Sequence, residues 1–387
     1  MAYALVRAAP TLVSSLRAAK MFDTDVCIIG GGPAGLAAAI AARRKGLRVV
    51  VADGNHPPID KACGEGLMPD CRAAAAKIGI HLPSSLGSEF RGIRFHGAGR
   101  SVDASFPDGC GLGVRRTVLH DLLTRTAMRS GAELRWDTPV VGIQDGAVLL
   151  SHSTVRARWI VGADGPASRV RCWAGLENFS RNSQRFAFRR HFAVAPWTDC
   201  MEIYWGQGCQ FYVTPVAARE ICVAAISRSP ALRLEEAMEG FPVLQSRLPR
   251  AAASSPERGA VTATMRLRRV TRGNVALIGD ASGSVDAVTG EGLCLTFRQA
   301  ELLAAAMARG NLSSYQTIHR RLAIRPNLMA EMMLLMDRST WLRGRALRAM
   351  ASKPPVFQRL LAMHVGALSI PGFAATSAEL GWRVICG

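Results

Sequence analysis

Asp25-Val-Cys-Ile-Ile-Gly-Gly-Gly-Pro-Ala-Gly-Leu-Ala-Ala-Ala-Ile-Ala-Ala-Arg-Arg-Lys-Gly-Leu-Arg-Val-Val-Val-Ala-Asp53 decides the fold, because it reads as strand, glycine turn, helix and second strand ending in an acid. Val26–Ile29 is an apolar run of strand length that ends in glycine. Gly30 makes the tight turn, Gly32 lets backbone approach a pyrophosphate, and Gly35, after Ala34, lets the helix pack on the strand. The helix then starts at the phosphate, where unpaired N–H groups and roughly half a positive charge suit an anion. Asp53 stands 18 residues beyond Gly35, in position for ribose hydroxyls. Gly30, Gly32, Ala34, Gly35 and Asp53 are therefore the first candidate cofactor-binding residues, and the stretch is a dinucleotide site.

Two later segments bear on which dinucleotide is bound. Trp159-Ile-Val-Gly-Ala-Asp-Gly-Pro-Ala-Ser-Arg-Val-Arg171 is an apolar strand running into Asp164-Gly165. Asn274-Val-Ala-Leu-Ile-Gly-Asp-Ala-Ser-Gly-Ser-Val-Asp-Ala-Val-Thr-Gly-Glu-Gly-Leu293 carries Gly279-Asp280 and a second glycine loop. Either acid-glycine pair alone reads as an ordinary turn. In this order, after the first motif, the chain resembles the flavoprotein family that includes p-hydroxybenzoate hydroxylase-type aromatic hydroxylases, flavin-dependent halogenases and geranylgeranyl reductases.

The resemblance spans about residues 22–310 and implies FAD. It places Asp280 on the ribityl chain and the backbone of Gly290, Gly292 and Leu293 near the pyrimidine edge of the flavin ring. It associates Asp164 and Gly165 with FAD and, in the hydroxylases, with the nicotinamide cofactor. Arg116, ahead of Thr117-Val-Leu-His-Asp-Leu-Leu, matches a cofactor-contacting arginine, and Val140 matches the position whose backbone meets the adenine. The implied fold class is α/β, a Rossmann-like FAD-binding domain of the glutathione-reductase type with an antiparallel β-sheet substrate domain and a helical C-terminal region. The expected division is an N-terminal extension at 1–21, an FAD-binding domain at 22–84, 106–178 and 264–310, a substrate domain at 85–105 and 179–263, and the helical region at 311–387.

One segment departs from the hydroxylase pattern. Lys61-Ala-Cys-Gly-Glu-Gly-Leu-Met-Pro69 is a glycine-flexed loop leading into a helix at Pro69. It resembles the cysteine-containing loop of the reductases more than the arginine-containing loop of the hydroxylases. The resemblance sets Cys63 in the flavin pocket and Lys61 in place of the missing arginine; the alternative for Cys63 is a buried spacer.

Residues 185–226 read as four strands, Arg185–Val194, Met201–Trp205, Gln210–Val216 and Glu220–Ile226, joined by short turns. The resemblance lays such a sheet over one flavin face. His191 and Tyr212 are the catalytic candidates, with sheet packing as the alternative role for each. Phe211 and Tyr212 point to opposite sides at period two, so only one can line a pocket.

The tail is helical in pattern and interrupted by Pro326 and Pro354-Pro355. Between Arg320 and Arg359 it holds nine basic residues against Glu331 and Asp337. It reads as a basic face over a packed cap, or as a surface that docks on anionic membrane or admits a lipophilic substrate. The net charge of +19 is dispersed and has no nucleic-acid motif beside it, so nucleic acid is not expected. Ten cysteines without C-x-x-C or metal spacing point to free thiols, no metal and a cytoplasmic protein, with peripheral docking at the inner membrane face as a further expectation. Residues 1–20 carry Arg7, Arg17 and Lys20 and no acid, and are read as an extension ahead of the first strand.

Two reactions fit this scaffold. The preferred reading is an NAD(P)H-dependent monooxygenase, using NADPH or NADH to reduce FAD and hydroxylating a lipophilic aromatic or polyketide-like substrate through a flavin C4a-hydroperoxide. The alternative is a geranylgeranyl-reductase-like enzyme saturating isoprenoid double bonds, and a third reading is an FAD-binding accessory or electron-transfer protein. The halogenase signature Trp-x-Trp-x-Ile-Pro is absent, and the comparable strand reads Phe211-Tyr-Val-Thr-Pro215. Oligomeric state is not legible.

Overall fold

A computed structural model describes residues 22–248 and 252–386. The expected extension at 1–21 lies outside the described residues.

The apolar runs Thr24–Ile29 and Val49–Ala52 lie side by side and parallel, with almost every residue buried. Such strands are covered on both faces, which is why they read as unbroken hydrophobic runs. The sheet runs Thr271–Arg272, Val275–Leu277, Thr154–Gly162, Thr24–Ile29, Val49–Ala52, Glu133–Arg135. All neighbours in it are parallel except the first pair. The strands Val140–Gln144 and Ala147–Leu150 extend it as antiparallel additions to Thr154–Gly162. The helix Pro33–Arg44 buries Leu36 through Ala42 and packs against Gly292–Ala308. Its first turn also sits close on the end of the first strand, which requires Gly35 to lack a side chain, since a Cβ there would stand 1.8 Å from the Gly30 carbonyl oxygen.

The second sheet has eight strands, in the order Gly283–Ser284, Arg258–Leu267, Phe179–Phe192, Glu220–Ser227, Cys209–Ala217, Cys200–Trp205, Gly92–Gly97, Arg100–Ser105. It is antiparallel except where Cys200–Trp205 meets Gly92–Gly97. The four strands expected between 185 and 226 are its centre, and the first of them starts six residues earlier, at Phe179. The strand Arg258–Leu267 gave no alternating signal because its first four residues are exposed. Phe211 and Tyr212 do face opposite ways. Phe211 packs on Phe241 with ring centroids 4.9 Å apart, whereas Tyr212 joins the apolar cluster shared with the C-terminal helices.

Those helices are Ser313–Leu322, Ile324–Arg338, Thr340–Ser352, Pro354–His364 and Ile370–Cys386. The expected proline breaks are helix starts. Pro326 lies in the first turn of its helix and Pro354 and Pro355 open theirs, where no N–H is needed.

Candidate flavin site

The dinucleotide turn is built from backbone that tolerates no side chain at selected points. Gly30 has φ of +110°, donates its N–H to Ala52 O, and would bring a Cβ within 2.5 Å of Ala163 O. Gly31, which the sequence did not single out, presses on the Trp136 ring, 2.1 Å from where its Cβ would sit. A Cβ on Gly32, by contrast, meets nothing within 4 Å, so the N-terminus of Pro33–Arg44 opens into free space. Asp53 is fixed at this turn. Its Oδ2 accepts the Gly31 N–H at 2.7 Å, and its Oδ1 accepts from Asn55. Buried His120 joins from behind through Nε2, 2.9 Å from Gly31 O; burial lowers its pKa, so the ring is neutral and donates.

Two other segments converge on the same place. Gly279, at φ +61°, lies against Ala34, whose Cβ would be 2.7 Å from a Cβ on the glycine. Its N–H is held by Gln299 Oε1 at 2.8 Å. Next to it, Asp280 is solvent accessible, yet loss of surrounding water raises its carboxyl above 3.8, against the pull of Arg116 and Lys61. Arg116 and Lys61 are the cations whose charge reaches the Asp280 carboxyl. Arg116 opens the helix Arg116–Arg129, and its buried Nε has no hydrogen-bond partner.

Asp164 has a local duty that the motif does not reveal. Its Oδ2 accepts the N–H groups of Arg169 at 2.7 Å and Val170 at 3.1 Å, which caps the short helix Arg169–Trp173. Its Oδ1 has no partner, and Gly165, at φ +84°, faces open space. Val140 begins its strand beside the acid of the turn, since Thr138 donates to Asp53 O and Pro139 lies against Gly54. At the other end, Gly290 closes the turn Ala287–Thr289 at φ +68°, Gly292 starts the helix Gly292–Ala308 facing open space, and Leu293 packs half-buried on the core. Between the glycines, Glu291 is buried beside Arg325 at 3.1 Å; burial raises its carboxyl.

The loop Lys61–Leu67 is held to the second sheet. Thr214 donates to Gly64 O at 2.7 Å, and the Cys222 thiol lies 3.6 Å from Cys63 O. Cys63 is half-buried and accepts the Glu65 N–H. Glu65 has φ of +60° and a fully enclosed carboxylate, with Oε1 accepting the Arg116 N–H at 2.9 Å and Oε2 2.7 Å from His191 Nε2.

His191 is therefore engaged on both sides. Its Nδ1 faces Ser255 Oγ at 2.8 Å, Arg115 Nη2 at 3.1 Å and Arg189 Nη1 at 3.3 Å. Guanidinium groups only donate, so Nδ1 accepts and Nε2–H donates to Glu65. Tyr212 is buried, its hydroxyl 2.9 Å from Val288 O and 3.1 Å from Gln210 Oε1, and burial pushes the phenol upward. Glu65, His191 and Cys222 come close enough to share an ion. Within the fold the Arg115 and Arg189 guanidiniums at His191 Nδ1 and the Glu65 bonds to His191 and Arg116 tie these groups into one hydrogen-bonded network.

The donor set suits FAD. Two helix starts, Arg116 and Lys61 offer charge and N–H groups to a diphosphate, Asp53 and Asp280 offer carboxylates to polyol hydroxyls, and Gly32, Gly165 and Gly292 leave the space a bound molecule needs.

Known proteins give the same picture. Residues 23–311 match the FAD binding domain family. The chain is similar to the menaquinone reductase of Mycolicibacterium smegmatis, 30% identical over 76% of this chain and 78% of that one. It is similar to the digeranylgeranylglycerophospholipid reductase of Methanothrix thermoacetophila, 25% identical over 76% and 79% of the two chains. Its fold is that of the flavin-dependent brominase Bmp2, with a TM-score of 0.77 at 18% identity over 93% of this chain and 99% of that one. The match runs from the first strand through the second glycine loop, so this chain belongs to the FAD binding domain family and is an FAD-dependent oxidoreductase.

Proposed function

We propose that this oxidoreductase saturates carbon–carbon double bonds in the isoprenoid chain of a lipophilic substrate, with NADPH or NADH as the ultimate reductant. The observation that carries this reading is the Lys61–Leu67 loop. Its Cys63 is only half-buried, while the neighbouring Gly64 and Glu65 are fixed by Thr214, His191 and Arg116. The loop resembles the reductases' version, and the relatives matched over three quarters of this chain are named as reductases of menaquinone and of a digeranylgeranyl lipid. Both are isoprenoid lipids.

Bound FAD supplies hydride transfer. The chain's own residues do the rest. Asp53, Arg116, Lys61 and Asp280 hold the cofactor's polar arms, and the Glu65 network fixes the loop that carries Cys63. An apolar cluster that includes Met68, Met201, Tyr212, Val288, Met329 and Met333 lies between the sheet and the C-terminal helices. Methionine side chains repack readily, which suits a long flexible chain, and they keep water from a reduced cofactor.

A monooxygenase is the second reading. It is favoured by the ordered Asp164-Gly165 motif and by oxygenases among the proteins of the same fold. Anaerobic incubation with dithionite-reduced protein and geranylgeraniol separates the two. Gain of hydrogen by the substrate supports the reductase. No such product, together with oxygen-dependent hydroxylation of a lipophilic phenol, sinks it.

A further inference from the structure

Among the described residues no helix is long and apolar enough to cross a membrane. The C-terminal helices nevertheless expose two tryptophans, Trp341 at 61% and Trp382 at 70%. Each lies opposite its helix's packed face. Thr340–Ser352 buries Ala346, Leu347 and Met350, and Ile370–Cys386 buries Thr376 and Val384. The tryptophans lie on neighbouring helices that form this edge of the tail: Arg345 stacks on the Trp341 ring at 5.0 Å while its Nη1 donates to Val384 O at 2.7 Å, which ties Thr340–Ser352 to the helix that carries Trp382.

The charge around this edge is positive. Trp341, Arg345 and Arg348 share a helix face at i, i+4 and i+7, and exposed Arg338 precedes Trp341 by three residues. Glu379 faces this region but is shared by Lys353, Arg359 and Arg383, so that cluster stays cationic. Arg338 also borders a cleft of about 320 Å³ between Ile324–Arg338 and the bulged strand residues Asn182 and Ser183.

We propose that this edge docks on the surface of an anionic lipid bilayer, with Trp341 and Trp382 seated at headgroup level and the arginines against lipid phosphates. Tryptophan's amphipathic ring favours that depth, and a basic rim is drawn to anionic headgroups. The cleft beside Arg338 then opens next to the membrane. The inference is independent of which reaction the flavin runs.

The test is co-sedimentation of the FAD-loaded protein with vesicles of phosphatidylglycerol and phosphatidylcholine, and with phosphatidylcholine alone. Wild type should bind the anionic vesicles about tenfold tighter, with the advantage shrinking at high salt. Trp341→Ser with Trp382→Ser should lose about tenfold of that binding while keeping bound FAD, and Arg338→Glu with Arg348→Glu should abolish the anionic preference. Undiminished binding by both double variants, or equal binding of wild type to the two vesicle types, overturns the proposal. So does a wild-type dimer that the tryptophan variant turns into a monomer, since the face would then belong to a second copy of the chain.

Discussion

The Glu65 carboxylate lies 2.7 Å from Nε2 of His191, and both side chains are buried. The same carboxylate accepts the backbone N–H of Arg116, so one residue ties the Cys63 loop, the second sheet and the start of the helix Arg116–Arg129 together. Glu65→Ala should cost about 2–4 kcal/mol, because it strands the His191 N–H and the Arg116 N–H in a dry interior, while Arg189 keeps Asp60 and Lys61 O as partners. Glu65→Gln, which keeps an acceptor, should cost less and retain FAD. Equal thermal stability of the alanine variant and wild type would refute this role.

Gly32 and Gly35 separate binding from folding. Gly32 has φ of −71° and free space before it, so Gly32→Ala should leave the stability of FAD-free protein within about 0.5 kcal/mol while weakening FAD binding. Gly35→Ala drives a Cβ into Gly30 backbone and should cost about 3 kcal/mol or more with or without cofactor. Thermal melts of both forms check the contrast. Unchanged FAD affinity in Gly32→Ala would argue against a diphosphate at that helix start.

The part of the site that local geometry dictates was legible. The 25–53 motif needs a buried strand, glycines at fixed offsets and a terminal acid, and all lie within one short stretch. Gly279-Asp280 followed a strand of the same sheet and was readable for the same reason. Glu65, His120, Gln299 and His319 were not, because their partners lie 20 to 126 residues away and their chemistry arises only after the chain has closed. His191 reads from sequence as a polar group on a strand, and nothing local to that strand reveals that both ring nitrogens face protein. Asp164 shows the converse: the motif pointed to cofactor, and the structure adds a helix cap. The strand Arg258–Leu267 carries no local signal because the pairing that orders it comes from Phe179–Phe192 rather than from a hydrophobic face of its own.

His319 gives the site an acid limit. Its Nε2 lies 2.9 Å from Ser282 Oγ and 3.1 Å from Gln299 Nε2, and Gln299 also holds Gly279, so the ring braces the turn that carries Asp280. Burial lowers its pKa from 6.5 to about 4. Between those values the unfolded chain binds a proton that the folded chain refuses, so stability is complete above pH 6.5 and falls as pH drops toward 4. The loss should approach about 3 kcal/mol. His319→Asn should flatten that slope, and an unchanged slope in the variant would place the acid sensitivity elsewhere.

Arg185 joins the helical tail to the second glycine loop. It is buried, with Nε 3.5 Å from Asp286 and Nη1 3.5 Å from Asp337. Asp286 caps the turn that Gly290 closes, through Val288 N, and Tyr212 bonds Val288 O in that turn. Asp337 also takes hydrogen bonds from Gln210 and Arg228, so it keeps partners when Arg185 is removed, whereas Asp286 keeps only the Val288 N–H. Arg185→Met should therefore cost about 3–5 kcal/mol, most of it from the stranded Asp286 carboxylate. Adding Asp286→Asn removes that charge and should recover a large share of the loss, a non-additivity expected of residues in direct contact. A double-mutant cycle read by denaturant unfolding decides it: strict additivity would mean that the tail and the loop are held independently and that Arg185 does not couple them.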